Sequence, residues 1–329
     1  MELYRKAFSG IMLTLLLTSM LTLAFNVQPA KASGAIYIRA DGSIDPIDAP
    51  ISTVDNITYT FTDNINDSIV IERDNIILDG AGYTVQGTGA HGSIGIYLPN
   101  RINVTVTNTK ITTFWHGIAL GYSSNYNSIS GNNIANNYWG IWLWGSSNNS
   151  IFHNNFINNT RQVYDYSWDN PEVSPSINTW DDGYPSGGNY WSDYTGVDYY
   201  SGPNQDQPGS DGIGDTPYII DEYNIDHYPL MKPWKPWSYV FTDSYGRGTI
   251  LKINTAHKLF QFVTPDKDYG IRKAAYMRVE GRIITIRHED SELRLITTAV
   301  DTKMGFCIAM AWDKQTRKHY ILIDKLGIE

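Results

Sequence analysis

The chain has 329 residues, a formal net charge of −9, 18% charged and 13% aromatic residues, and one cysteine. At roughly 150 residues per domain, that length suggests two domains. The acidic balance excludes an unaided nucleic-acid binder, the aromatic content excludes a disordered chain, and the lone Cys307 excludes both a disulfide framework and a cysteine-based zinc site.

Arg5 and Lys6 precede an apolar stretch from Ile11 to Phe25, and Ala30-Lys31-Ala32 has the pattern of a signal-peptidase site. This predicts a signal peptide over residues 1–32. Retention as an anchor is the alternative, but the apolar run of about 15 residues is shorter than the roughly 20 that span a bilayer. No later stretch is long and apolar enough to cross. The expected location is extracytoplasmic, that is secreted, periplasm-like or at the cell surface. Beyond the leader, charge is unevenly placed: residues 33–237 hold 7 basic and 22 acidic side chains, and residues 238–329 hold 15 and 11.

Residues 33–165 repeat. Gly95-Ile96-Tyr97-Leu98, Gly117-Ile118-Ala119-Leu120 and Gly140-Ile141-Trp142-Leu143 recur at offsets of 22 and 23, with a degenerate copy at Gln162-Val163-Tyr164. Two further columns run Ile111, Ile134, Phe156 and Val106, Ile129, Ile151. The short runs alternate apolar and polar residues, with Asn, Ser and Gly between them, which is strand and turn chemistry. A period near 22 with three short strands per copy predicts a solenoid. The L-x-x-L-x-L frame and helical half of a leucine-rich repeat are absent, so the prediction is a right-handed parallel β-helix. Earlier runs, Ile57–Phe61, Ile69–Glu72, Asn75–Asp79 and Tyr83–Gln86, would begin the coil.

The frame from Asn75 to Gly89, the Gly-Ile coils, and the block from Gly188-Asn189-Tyr190-Trp191-Ser192-Asp193 to Asp211-Gly212-Ile213-Gly214-Asp215-Thr216-Pro217-Tyr218 resemble the NosD-like β-helix family. The resemblance covers roughly residues 36–235. Its coils are similar to the repeats of carbohydrate-binding proteins and sugar hydrolases, the CASH repeats. The family namesake implies a periplasmic role in supplying copper to a nitrous-oxide-reducing enzyme. Copper carriers use Met clusters, Cys or closely spaced His. Here the seven His residues are dispersed and only four Met follow the leader, so the residue types argue against copper.

Residues 166–231 read as an acidic, aromatic cap on the last coil. Asp165 to Asp226 holds 13 acidic residues and no Lys or Arg. Within it, Asp206, Ser210, Asp211 and Asp215 echo a calcium loop, although the D-x-D-x-D run and terminal Glu are missing. A cluster of solvated Asx turns is the alternative.

If Ile141 and Leu143 face inward, strand alternation turns Trp142 and Trp144 outward. With Tyr97, Trp139 and Tyr164 they form the candidate ligand-binding column, a platform for a polysaccharide or cell-surface glycan. Burial of this face by the chain itself is the competing expectation. Catalysis has weaker support. Asp181 and Asp182 are adjacent and point apart in an extended strand, and any convergence of Asp165, Asp169, Asp193 and Asp198 would be three-dimensional.

Residues 232–237, Lys-Pro-Trp-Lys-Pro-Trp, read as a stiff linker. Residues 238–329 carry eight strand-like runs separated by turn signals, which predicts a small antiparallel sandwich or barrel. The expectation is thus an all-β, two-domain protein that binds or presents carbohydrate, or serves as a structural module. A polysaccharide-active hydrolase or lyase and a copper-delivery accessory remain as alternatives, with a protein partner available to the C-terminal domain.

Overall fold

The computed structural model describes residues 34–236, 238–280, 283–301 and 306–324. The expected signal segment and residue 237 of the linker lie outside them. Among the described residues no helix is long and apolar enough to cross a membrane.

Three sheets wind into a parallel β-helix. The first stacks Ile36–Ile38, Ile69–Ile71, Ile94–Pro99, His116–Gly121, Trp139–Leu143 and Arg161–Asp165. The second stacks Thr84–Gln86, Lys110–Thr112, Asn133–Ala135, Asn155–Ile157 and Tyr190–Trp191; the third runs from Thr58–Phe61 to Ser150–Phe152. The periodic columns pair in register: Ile96, Ile118, Ile141 and Val163; Ile111, Ile134 and Phe156; Val106, Ile129 and Ile151. All are buried and belong to one continuous core. Alternation makes each strand give one face to this core and the other to solvent.

The glycine of the Gly-Ile motif follows from the closeness of the coils. A Cβ on Gly95 would lie 2.5 Å from the Gly117 carbonyl oxygen, and one on Gly117 2.6 Å from that of Gly140. No side chain fits there.

The corners between strands are polar and buried, so their main-chain groups need partners. Asparagine ladders supply them. The Asn127 main-chain N–H and side-chain amide both donate to Asn149 Oδ1, at 2.8 and 3.0 Å, and Asn149 repeats the pattern onto Asn178. A second ladder runs from Asn132 to Asn154 to Asn189, and a third from Asn137 to Asn159.

Two of these ladders continue into the acidic segment. Asn178 N–H donates to Asn224 Oδ1, and Asn189 N–H donates to Asp226 Oδ2 at 2.7 Å. This segment therefore extends the coil as well as covering it. Trp191 stacks on Phe156 at 4.3 Å and is covered in turn by Tyr218 at 4.2 Å. Trp180 and Trp191 are fully buried, and their indole N–H groups donate to Asn224 and Asp226. Apolar rings with satisfied N–H groups close the end of an aliphatic core.

The C-terminal region forms two antiparallel meanders around a second core. One has four strands, Tyr239–Thr242, Ile250–Asn254, Leu259–Val263 and Asp268–Lys273; the other has five, from Tyr276–Glu280 to His319–Asp324. Ser244 N–H donates to the Ile323 carbonyl, so the first strand of one sheet meets the last strand of the other. Cys307 is buried in this core, where a small hydrophobe belongs.

Candidate ligand-binding face

The outer face of the first sheet carries a continuous aromatic surface. Strand alternation puts Trp142 on it; His116 and Trp139, which open their strands before the glycine, join it through ring contacts. The corners before these strands add Trp115 and Tyr138, and the turns after Trp139–Leu143 and Arg161–Asp165 add Trp144 and Tyr166. Trp139 lies between two rings: His116 of the preceding coil at 4.9 Å and Tyr164 of the following coil at 4.2 Å, interplanar angles 16° and 3°. Trp115 stacks on Tyr138 at 3.9 Å. Trp142 meets His116 at 5.2 Å and Trp144 edge-on at 5.6 Å, and Tyr166 leans on both indoles.

Four of the five expected residues, Trp139, Trp142, Trp144 and Tyr164, come together here. Tyr97 sits two coils before Trp142 in the same column, with buried Ala119 between them. The expected flat platform takes a different form, because successive coils stack these rings face to face. Trp139 offers mainly its edge to solvent, and Tyr164 is 5% exposed. The open rings are at the margin: Tyr122 is 54% exposed and packs on Trp144 at 4.4 Å. Sequence reasoning missed Trp115, Tyr138 and Tyr166; His116 shares the column of Trp139, just before the glycine, but was not chosen as a site residue. For Trp115 and Tyr138 the signal was the pair of adjacent rings before the second and third Gly-Ile, Trp115-His116 and Tyr138-Trp139.

Burial sets the proton chemistry of the face. It pushes His116 down to about 4, with His91 adding repulsion, and leaves His116 Nδ1 without a hydrogen-bond partner. Tyr164 is pushed up to about 12 by burial and by the Asp169 carboxylate that accepts its hydroxyl. Both are neutral at pH 7.

The expected calcium ligands have other partners. Asp215 accepts the Tyr199 and Tyr200 N–H groups, Ser210 donates to Asp198, and Asp211 accepts Ile213 N–H. Asp206 lies on an exposed turn. Among the described residues no group of three or more His, Cys, Asp or Glu could hold a metal ion. Of the carboxylates considered for catalysis, Asp181 takes the His227 N–H and approaches its ring at 3.1 Å. Ser186 donates to Asp182 at 2.7 Å and lies 3.1 Å from His153 Nε2. A nucleophilic relay needs the carboxylate on the imidazole; here it is on the hydroxyl.

A family model described as periplasmic copper-binding protein (NosD) matches residues 33–196. The β-helix is NosD-like. A curated relative, the probable ABC transporter binding protein NosD of Pseudomonas aeruginosa, is 36% identical over 114 residues, which is 34% of this chain and 22% of the relative. The matched part thus spans about a fifth of that protein's length. No solved structure matches the chain.

The donors of this NosD-like chain do not fit copper. The fold brings two imidazoles to one indole: His153 and His257 stack on Trp234 at 3.6 and 4.8 Å. Both rings are pushed down to about 4, burial being the main cause. His153 Nε2 faces Ser186, and among the described residues Met231 alone brings a sulfur to the cavity of His257, while Cys307 is buried in the other core.

Proposed function

We propose that this chain is a non-catalytic accessory protein of NosD type that works outside the cytoplasm and docks a partner protein through the aromatic face of its β-helix. The observation that carries this reading is the aromatic surface itself, which runs across three successive coils. Half-open Trp and Tyr side chains on a rigid sheet supply contact area at low entropic cost, and such residues dominate protein interfaces. Edge-on rings suit a protein partner better than a sugar, whose C–H face needs an open ring face. The relative's name links it to an ABC transporter, so the partner class is a component of a membrane transport assembly.

The test is co-purification of the chain with transport components of its own organism. Replacing Trp142 and Trp144 by Ala is expected to abolish the association while the melting temperature changes little. Association that survives this double substitution overturns the reading.

Carbohydrate binding is the second reading, favoured by the exposed Tyr122 ring beside Trp144. A glycan array run with calcium, with copper and with EDTA separates the two. Glycan binding lost in Trp144→Ala, with no transporter association, supports the second reading. Dependence on calcium would bring Asp206 and Asp211 back as ligands.

A further inference from the structure

A cavity of about 240 Å³ lies where the acidic segment meets the turn between Ile250–Asn254 and Leu259–Val263. Its charged walls are Lys232, Lys258, Lys273, His257, Asp198 and Asp211. The two carboxylates already have partners. Asp198 accepts Ser210 Oγ and the Asp211 and Gly212 N–H groups at 2.8–3.0 Å. Asp211 accepts Ile213 N–H at 3.0 Å. Lys273 Nζ donates to the Asp211 carbonyl, and among the described residues Lys232 and Lys258 lie in no ion pair.

Three lysines against two carboxylates leave one formal positive charge around the cavity with His257 neutral. Burial is the main cause that holds the His257 ring down, and Lys273, Lys232 and Lys235 add to it. Its Nε2 is buried, with no hydrogen-bond partner among the described residues. Burial and Lys258 lower the pKa of Lys273, against the pull of Asp211 and Asp198. A bound anion would favour the ammonium of Lys273 and the protonated form of His257, whose Nε2–H would then donate to it.

We propose that this cavity is a binding site for a small tetrahedral oxyanion, phosphate or sulfate, free or as the head of a larger ligand. Lysines act as point charges and suit such an ion. The volume is just below the roughly 300 Å³ at which drug-sized sites begin, which matches an ion or a head group. The site is independent of the aromatic face and needs no metal.

The probe is inorganic phosphate, titrated calorimetrically into the full chain at low ionic strength. Sulfate forms a second arm, and chloride at matched ionic strength is the control. One saturable site for phosphate or sulfate that chloride does not reproduce is expected. Lys258 has φ +56°, so Lys258→Asn removes the charge while keeping a residue suited to that backbone. It should weaken binding roughly tenfold, and adding Lys232→Gln should abolish it. Lys110→Gln makes the same charge change on the β-helix flank and should have no effect. Absence of saturable binding, or an equal loss from Lys110→Gln, overturns the proposal.

Discussion

Replacing Asn154 by Leu tests whether the polar ladders hold the coils together. The two side chains are similar in size, so the change removes hydrogen bonds more than volume. Asn154 is fully buried. Its Oδ1 accepts the Asn132 main-chain N–H at 3.1 Å and its amide at 3.0 Å, and its Nδ2 donates to the Ile129 carbonyl at 2.7 Å. Leucine leaves the Asn132 N–H and the Ile129 carbonyl without these partners in a dry corner. At about 1–3 kcal/mol for each stranded group, the cost is roughly 2–6 kcal/mol. That is a large part of the ~5–15 kcal/mol that stabilises an ordinary domain. Urea unfolding followed by far-ultraviolet circular dichroism measures it. A loss below about 1 kcal/mol would refute the reasoning and make the ladder incidental to an aliphatic stack.

Gly117→Ala should lower the melting temperature, because its Cβ would meet the Gly140 carbonyl oxygen; overpacking of this kind costs about 1–3 kcal/mol. Trp191→Ala should cost about 3–5 kcal/mol by opening the end of the core, whereas Trp142→Ala should leave the urea midpoint nearly unchanged. Burial raises Asp226 to about 7, so its contribution to stability is present in acid and lost as pH rises through about 7. In Asp226→Asn, unfolding free energies measured from pH 4 to 8 should lack that component. His153 has the opposite sign: neutral in the fold with a value near 4, it contributes above about pH 6.5, and the contribution is lost as pH falls through about 4. His153→Gln should flatten the acid limb; an unchanged limb would show that the ring is not the titrating group.

The coils were legible in the sequence because a solenoid writes its core as a period. Ile96, Ile118 and Ile141 stand one turn apart in sequence and pair directly in space. The ladders were equally periodic, with Asn127, Asn132 and Asn137 repeated at Asn149, Asn154 and Asn159. They were passed over because Asn is ordinarily a turn residue. The strand Asp268–Lys273 was missed for another reason: Gly270, at φ +69°, sits between its two apolar residues and reads as a turn, and pairing with Leu259–Val263 through a bulge makes it a strand. The aromatic face was half legible. Alternation says which rings point outward, but not that rings from neighbouring coils turn to stack on one another, which depends on distances no linear pattern carries. The lysines of the anion cavity lie at 232, 258 and 273, and only the turn between two strands brings them together.

The direction of the ladders gives the β-helix a polarity. Each asparagine accepts from the coil before it and donates within its own stack, so asparagine transmits the pattern and needs a successor. Asp226 accepts from Asn189, from the Trp191 indole and from Tyr228 N–H, and once ionised, above about pH 7, it has no proton to hand on. The Asn224 amide likewise spends itself on the Asp221 carboxylate, at 2.9 Å to each oxygen. In the language of polymer chemistry these are chain terminators. A coil from a second molecule arriving at this end finds no pendant amide to extend. The molecule is thereby kept at a finite length, and a change such as Asp226→Asn would restore a propagating end.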